Sequence, residues 1–96
     1  MNEPNVRFRR AAGIPSRTVA DRVIVARPGR DDFDAFTGPA VAVWNLLQEP
    51  RTVPELVEIL SWAYDAPSAD VERDVRELLR DLLDRGAVEG SDDRDA

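Results

Sequence analysis

Prolines divide residues 38–86 of this 96-residue chain into three amphipathic segments, and that division constrains the fold more than any other feature. Proline fits the first turn of a helix but ends a helix that runs into it. The first segment predicts a helix over residues 38–48, capped by Thr37 or Gly38, with Pro39 in its first turn. Ala40, Val43, Trp44 and Leu47 fall at i, i+3, i+4 and i+7 on one face, and Glu49-Pro50 closes the segment. The second opens with Thr52 and Glu55 at capping-box spacing. Leu56, Ile59, Leu60, Ala63 and Tyr64 give it an apolar side before Asp65-Ala66-Pro67 breaks it. The third has Ser68 as N-cap, with Asp70 and Glu72 near the positive end of the helix dipole. Its apolar residues are Val71, Val75, Leu78, Leu79, Leu82 and Leu83, and Gly86 is placed for a C-cap. Ala87-Val88-Glu89 is expected to pack back as a short final segment.

The first half reads differently. Val19 and the run Val23-Ile24-Val25 are β-branched and suit a hairpin over residues 17–29, with Ala20-Asp21 at its turn and Pro28-Gly29 at its end. Residues 32–36 predict a short third strand, polar enough for a sheet edge. Residues 1–16 carry two prolines and a glycine and are expected to form a loose basic arm. The alternation of Val6 and Phe8 with Arg7 and Arg9 also fits a short edge strand. Residues 90–96 read as a disordered acidic tail, leaving residues 17–89 as one small domain. Strands followed by helices make an α+β class, and three helices with short joints beside a hairpin suggest a winged helix-turn-helix arrangement.

Composition excludes several functions. Cysteine and histidine are both absent, which removes zinc fingers, thiol redox chemistry and Ser-His or Cys-His catalysis. The glycines are scattered, so no phosphate-binding loop is present. Asp31, Asp32 and Asp34 cluster in sequence, but Ala42 stands where a calcium loop would place its closing glutamate, and no metal or other cofactor is expected. Nothing supplies a nucleophile, so the chain is not expected to be an enzyme. No apolar run is long enough for a membrane span and no secretory signal is visible, which leaves the cytoplasm as the default compartment.

Charge separates the remaining classes. The net is −6, divided into +5 over residues 1–30 and −11 over the rest. Over residues 68–85, six acids face four arginines. A helix of that sign is repelled by phosphate, so nucleic acid is not an expected partner even though the topology resembles that of a winged-helix regulator. A peptide partner fits better. The edge strand formed by Asp32, Phe33, Asp34, Ala35 and Phe36 offers unpaired backbone groups to an extended peptide. At 100° per residue, Val71, Val75, Leu78 and Leu82 form a compact core stripe on the third helix. Leu79 and Leu83 extend beyond the stripe, bordered by Arg76 and Arg80. Two readings stand: the hairpin covers these leucines, or they line a half-exposed groove with an arginine rim and Val75 at its floor, suited to an amphipathic acidic peptide.

An ordered set of short motifs spans residues 23–88: VIVARPG, then FTGPAVAVWNLL, then EPRTVPELVEIL, then Asp74-Val75 with Leu78, Leu79, Leu82, Gly86 and Val88. In order and spacing this resembles the PqqD-like family, the RiPP recognition elements. Phe36-Thr37 stands where the family often has Leu-Asn, and Pro50 where it often has a glycine before the Arg-Thr pair, which points to a subgroup. The resemblance implies a non-catalytic peptide chaperone of ribosomal natural-product biosynthesis. Such a domain binds a precursor's leader peptide as an extra strand against the third strand and third helix. It then presents that peptide to a cognate maturation enzyme: a radical-SAM protein, a leader protease or a cyclase. A winged-helix transcriptional regulator or a general protein-interaction domain is the alternative.

Overall fold

Val23 and Val25 alternate with Ile24, and that alternation builds the central strand. In the computed structural model, which describes residues 6–27 and 29–92, both valines are fully buried. They belong to β3 (Arg22–Ala26), which is flanked by β2 (Ser16–Val19) and β4 (Phe33–Thr37) in an antiparallel sheet of order β2-β3-β4. The β2–β3 turn falls at the expected Ala20-Asp21, with Ala20 in the left-handed region at φ 55°. β4 sits one residue later than predicted and is the outer strand, as its polarity suggested. Pro28 of the expected Pro28-Gly29 stop lies outside the described residues; Gly29 has φ 70°.

Three helices follow: α1 (Pro39–Leu46), α2 (Val53–Tyr64) and α3 (Ser68–Asp84). Pro39 opens α1 after Gly38, whose φ of 62° suits a residue without Cβ. Thr52 and Glu55 form the predicted capping box. The Glu55 N–H donates to Thr52 Oγ1 at 3.2 Å, and the Thr52 N–H donates to Glu55 Oε1 at 2.8 Å. α3 begins at Ser68 itself, with Pro67 in the cap position, so the serine is one residue inside its predicted place. Gly86, at φ 75°, turns the chain out of α3 as expected.

Strands and helices share one core. Trp44 and Leu47 of the first helical segment, Leu56 of α2 and Leu82 of α3 pack with Val23 and Val25, all essentially without exposure. The apolar side of α2 is rotated from its predicted position: Val53, Leu56, Val57 and Leu60 are buried, whereas Ala63 and Tyr64 are exposed. The capped N-terminus of α2 packs inward, so Val53 and Val57 take the core and the last turn projects beyond it. The whole is the predicted α+β arrangement, a winged-helix-like meander with three helices.

The N-terminal segment departs from expectation. Residues 6–10 are not a loose arm but a strand, β1 (Val6–Arg10), paired antiparallel with β5 (Val88–Asp92). β5 extends the expected back-packing segment into the predicted tail; residues 93–96 lie outside the described residues. Burial of Val6 and Phe8 explains the strand. On its other side β1 is held by Phe8, whose N–H donates to the Arg51 carbonyl at 2.7 Å and whose carbonyl accepts from the Arg51 N–H at 2.9 Å. Arg10 fastens the same strand to α1: its guanidinium lies 4.6 Å from the centre of the Trp44 ring and donates to the Trp44 carbonyl at 2.7 and 2.9 Å.

Candidate functional site

Alternation gives β4 two unlike faces. Asp34 and Phe36 stand opposite Val25 and Val23, on the side covered by the helices, while Phe33, Ala35 and Thr37 point away, with Phe33 59% exposed. Among the described residues no strand pairs with the outer edge of β4.

The direction of each backbone group on that edge follows from the ladder. The Arg27 N–H donates to the Asp32 carbonyl, and the two residues are opposite one another in the β3–β4 register. Hydrogen-bonded pairs alternate along an antiparallel ladder, so Asp34 and Phe36 direct their N–H and C=O groups at β3. Phe33, Ala35 and Thr37 therefore direct theirs outward. The β2–β3 side agrees, because the Ala26 N–H donates the other way, to Pro15. Five residues of edge span about 17 Å.

Asp34 ties this strand to α3. A carboxylate turned into a mostly apolar face requires charged partners. Asp34 Oδ1 accepts from Arg27 Nη2 at 2.7 Å and Nε at 3.1 Å, and also from Arg85 just past the end of α3. Arg85 in turn donates to Asp81 at 3.0 Å. The Arg27 guanidinium is held above its ordinary pKa, first by the hydrogen bond to Asp34 and then by the charge of that carboxylate. The flank of α3 bearing Asp81 and Arg85 is thus the flank turned to β4. Arg27, Arg30, Asp81, Asp84 and Arg85 border a cavity of about 420 Å³ at this end. Toward the end of β4 that leads into α1, Pro39, Tyr64, Val71, Val75 and Leu78 line a second, largely apolar cavity of about 230 Å³.

Nine of the ten residues singled out in the sequence divide into two groups. Asp32, Phe33, Asp34, Ala35 and Phe36 lie along β4 and its lead-in. Arg76, Leu79, Arg80 and Leu83 come together around a cleft of about 500 Å³, but its other wall is Val6, Phe8, Gly90 and Ser91 of the β1–β5 ribbon. Neither group faces the other across one groove. Leu79 is 3% exposed and Leu83 41%, so the ribbon, not the hairpin, covers the first and leaves the second open. Val75 is buried and lines the apolar cavity instead. Sequence reasoning missed Arg27 and Arg85 as the partners of Asp34, and Leu78 and Tyr64 as lining of the apolar cavity. One signal pointed to the arginines: Asp34 occupies an inward position of an alternating strand, which demands a cationic partner.

The family model for coenzyme PQQ synthesis protein D (PqqD) matches residues 23–88. No curated protein matches the chain. Two solved structures share its fold. One, TbiB1 in complex with the TbiA(beta) leader peptide, is 24% identical with a TM-score of 0.78, over 86% of this chain and 96% of that one. The other is the solution NMR structure of the PqqD truncation of Methylobacterium extorquens PqqCD, described as a functional, stand-alone RiPP recognition element. It is 27% identical with a TM-score of 0.71, over 86% of this chain and 88% of that one.

Proposed function

The chain belongs to the PqqD family, and from that premise we propose that it is a non-catalytic adaptor that captures the leader of a ribosomally made precursor peptide as a strand added to β4. It then presents the precursor to a maturation enzyme in the cytoplasm, where such precursors are made. The observation that carries this reading is the open edge of β4, with the backbone groups of Phe33, Ala35 and Thr37 directed outward beside α3. Both solved neighbours support it, one through its bound leader and the other through its described role.

The surroundings of the edge set the character of the peptide. Inward side chains of an added strand meet the apolar cavity of Pro39, Tyr64, Val71 and Leu78 at one end, which suits a single bulky apolar residue. At the other end they meet the arginines and carboxylates around Arg85. Micromolar affinity requires about −8 kcal/mol. Edge hydrogen bonds of about 1 kcal/mol each, one apolar anchor at about 1.5–3 kcal/mol and one charge-assisted hydrogen bond at about 1.5–3 kcal/mol approach that value after several kcal/mol are lost in ordering the leader. A DNA-binding reading is disfavoured by α3, whose six acids stand against three arginines.

Amide hydrogen exchange with and without a cognate leader peptide tests the proposal. Leader binding should slow exchange at Phe33, Ala35 and Thr37, while Asp34 and Phe36, already bonded to β3, change little. Saturable leader binding that leaves all three outward amides unprotected would refute strand addition at β4.

A further inference from the structure

α3 has a second strand edge on its opposite flank. The Ala11 N–H donates to the Ala87 carbonyl, and these two residues continue the β1–β5 register. By the same alternation Arg9↔Glu89 and Arg7↔Ser91 are the hydrogen-bonded pairs. The backbone groups of Phe8 and Arg10 on β1 must then point away from β5, and they do, toward Arg51 and Leu47. On β5, Val88 and Gly90 direct their N–H and C=O groups to the side away from β1. Among the described residues no strand pairs there.

Beside that edge lies the 500 Å³ cleft. Its floor is Val6, Phe8 and Leu79, its outer wall the half-exposed Leu83, and its far rim Arg76 and Arg80. Gly90 keeps it open. A Cβ at that position would stand 3.1 Å from the Phe8 ring and 3.2 Å from Val6, occupying the space over the floor. β1, and β5 beyond Val88, lie outside the span 23–88 that the family model matches, so this edge is built from a different part of the chain than β4.

We propose that the β5 edge and its cleft bind an extended segment of a second protein, one that carries apolar residues at alternate positions and a flanking carboxylate. Backbone pairing with Val88 and Gly90 sets the register, and alternate apolar side chains enter over Phe8, Leu79 and Leu83. The carboxylate meets Arg80, which has no ion pair among the described residues. Charge chooses this occupant. The rim arginine that meets the carboxylate is Arg80, since Arg76 is paired with Glu72 at 2.9 Å, while the chain as a whole is acidic, which disfavours a second copy of itself. Because β4 and β5 lie on opposite flanks of α3, both edges can be filled at once. The proposal does not depend on the leader reading.

The test uses a blocked seven-residue peptide alternating leucine with aspartate, titrated into the full chain while backbone amides are followed by NMR. The expected result is saturable shifts centred on Leu83, Val88 and Gly90. A matched peptide with lysine in place of aspartate should bind at least about fivefold less tightly. Leu83→Asp and Arg80→Glu, both at exposed positions and checked for folding by circular dichroism, should each weaken binding by at least about fivefold. Shifts confined to β4, equal binding of the two peptides, or a dimer in sedimentation that closes the β5 edge with a second copy would each overturn the proposal.

Discussion

Replacing Ala35 by proline should separate binding from folding. The Ala35 N–H points outward from β4, so a proline there breaks no bond of the β3–β4 ladder. Its fixed φ is compatible with an extended strand, and Asp34 before it is already extended, as a residue preceding proline prefers. The loss to an added peptide is direct. One outward donor disappears, and the ring occupies the place of the partner carbonyl, disturbing the neighbouring bond as well. Two bonds at about 1 kcal/mol each give about 2 kcal/mol, or roughly 30-fold in Kd. Fluorescence anisotropy with the cognate leader measures this, and urea denaturation measures stability alongside. Phe36→Pro is the internal control. It removes an N–H directed at β3 and truncates a ring packed against the core, so it should destabilise the fold far more than Ala35→Pro does. A folded Ala35→Pro protein that binds the leader like the parent would refute both the derived edge directions and the placement of the peptide.

Four other outcomes follow from the packing. Trp44→Ala should cost about 3–5 kcal/mol in urea denaturation, because the ring is 1% exposed and supports Arg10; with the exposed Trp62 replaced by Phe, Trp44 emission should be shifted to the blue, and water-like emission would contradict its burial. Asp34→Asn should lower stability by about 1–3 kcal/mol, toward the lower figure because the freed arginines regain water, and an unchanged urea midpoint would show that the link to Arg85 contributes nothing. Thr52→Ala should cost about 1 kcal/mol in urea denaturation. The Glu55 carboxyl is held below its usual range, first by the Thr52 N–H that it accepts. The cap's charge-assisted part is therefore present above the ordinary glutamate pKa and is lost as pH falls through the folded value. A pH series of thermal midpoints for the parent and Glu55→Gln should converge in acid, by a small amount because Glu55 is nearly half exposed.

What could be read from the sequence was what short-range chemistry decides. The Ala20-Asp21 turn, the Thr52–Glu55 box and the Gly86 exit each depend on residues within a few positions of one another. The edge position of β4 was legible from its polarity. The rotation of α3 was not. Leu78 and Leu79 are equally apolar, and only distant partners decide which turns to β4 and which to the ribbon: Asp34 fixes one flank through Arg85, and Phe8 covers the other. β5 beyond Glu89 was illegible for a related reason. The segment Gly90-Ser91-Asp92 carries the composition of a tail and becomes a strand only because β1 supplies its ladder.

The pairing of β1 with β5 also bears on how the chain is made. Arg9 and Glu89, joined across the ribbon at 2.7 Å, are 80 positions apart. At about 5–20 residues per second, β1 is synthesised roughly 4–16 s before its partner strand. During that interval Val6 and Phe8 have no ribbon to complete, and the Arg51 bridge is the first pairing open to them. The ribbon thus forms after the segments between its two strands have been made, and the cleft that it walls comes into being only after the β2–β3–β4 meander is already able to fold.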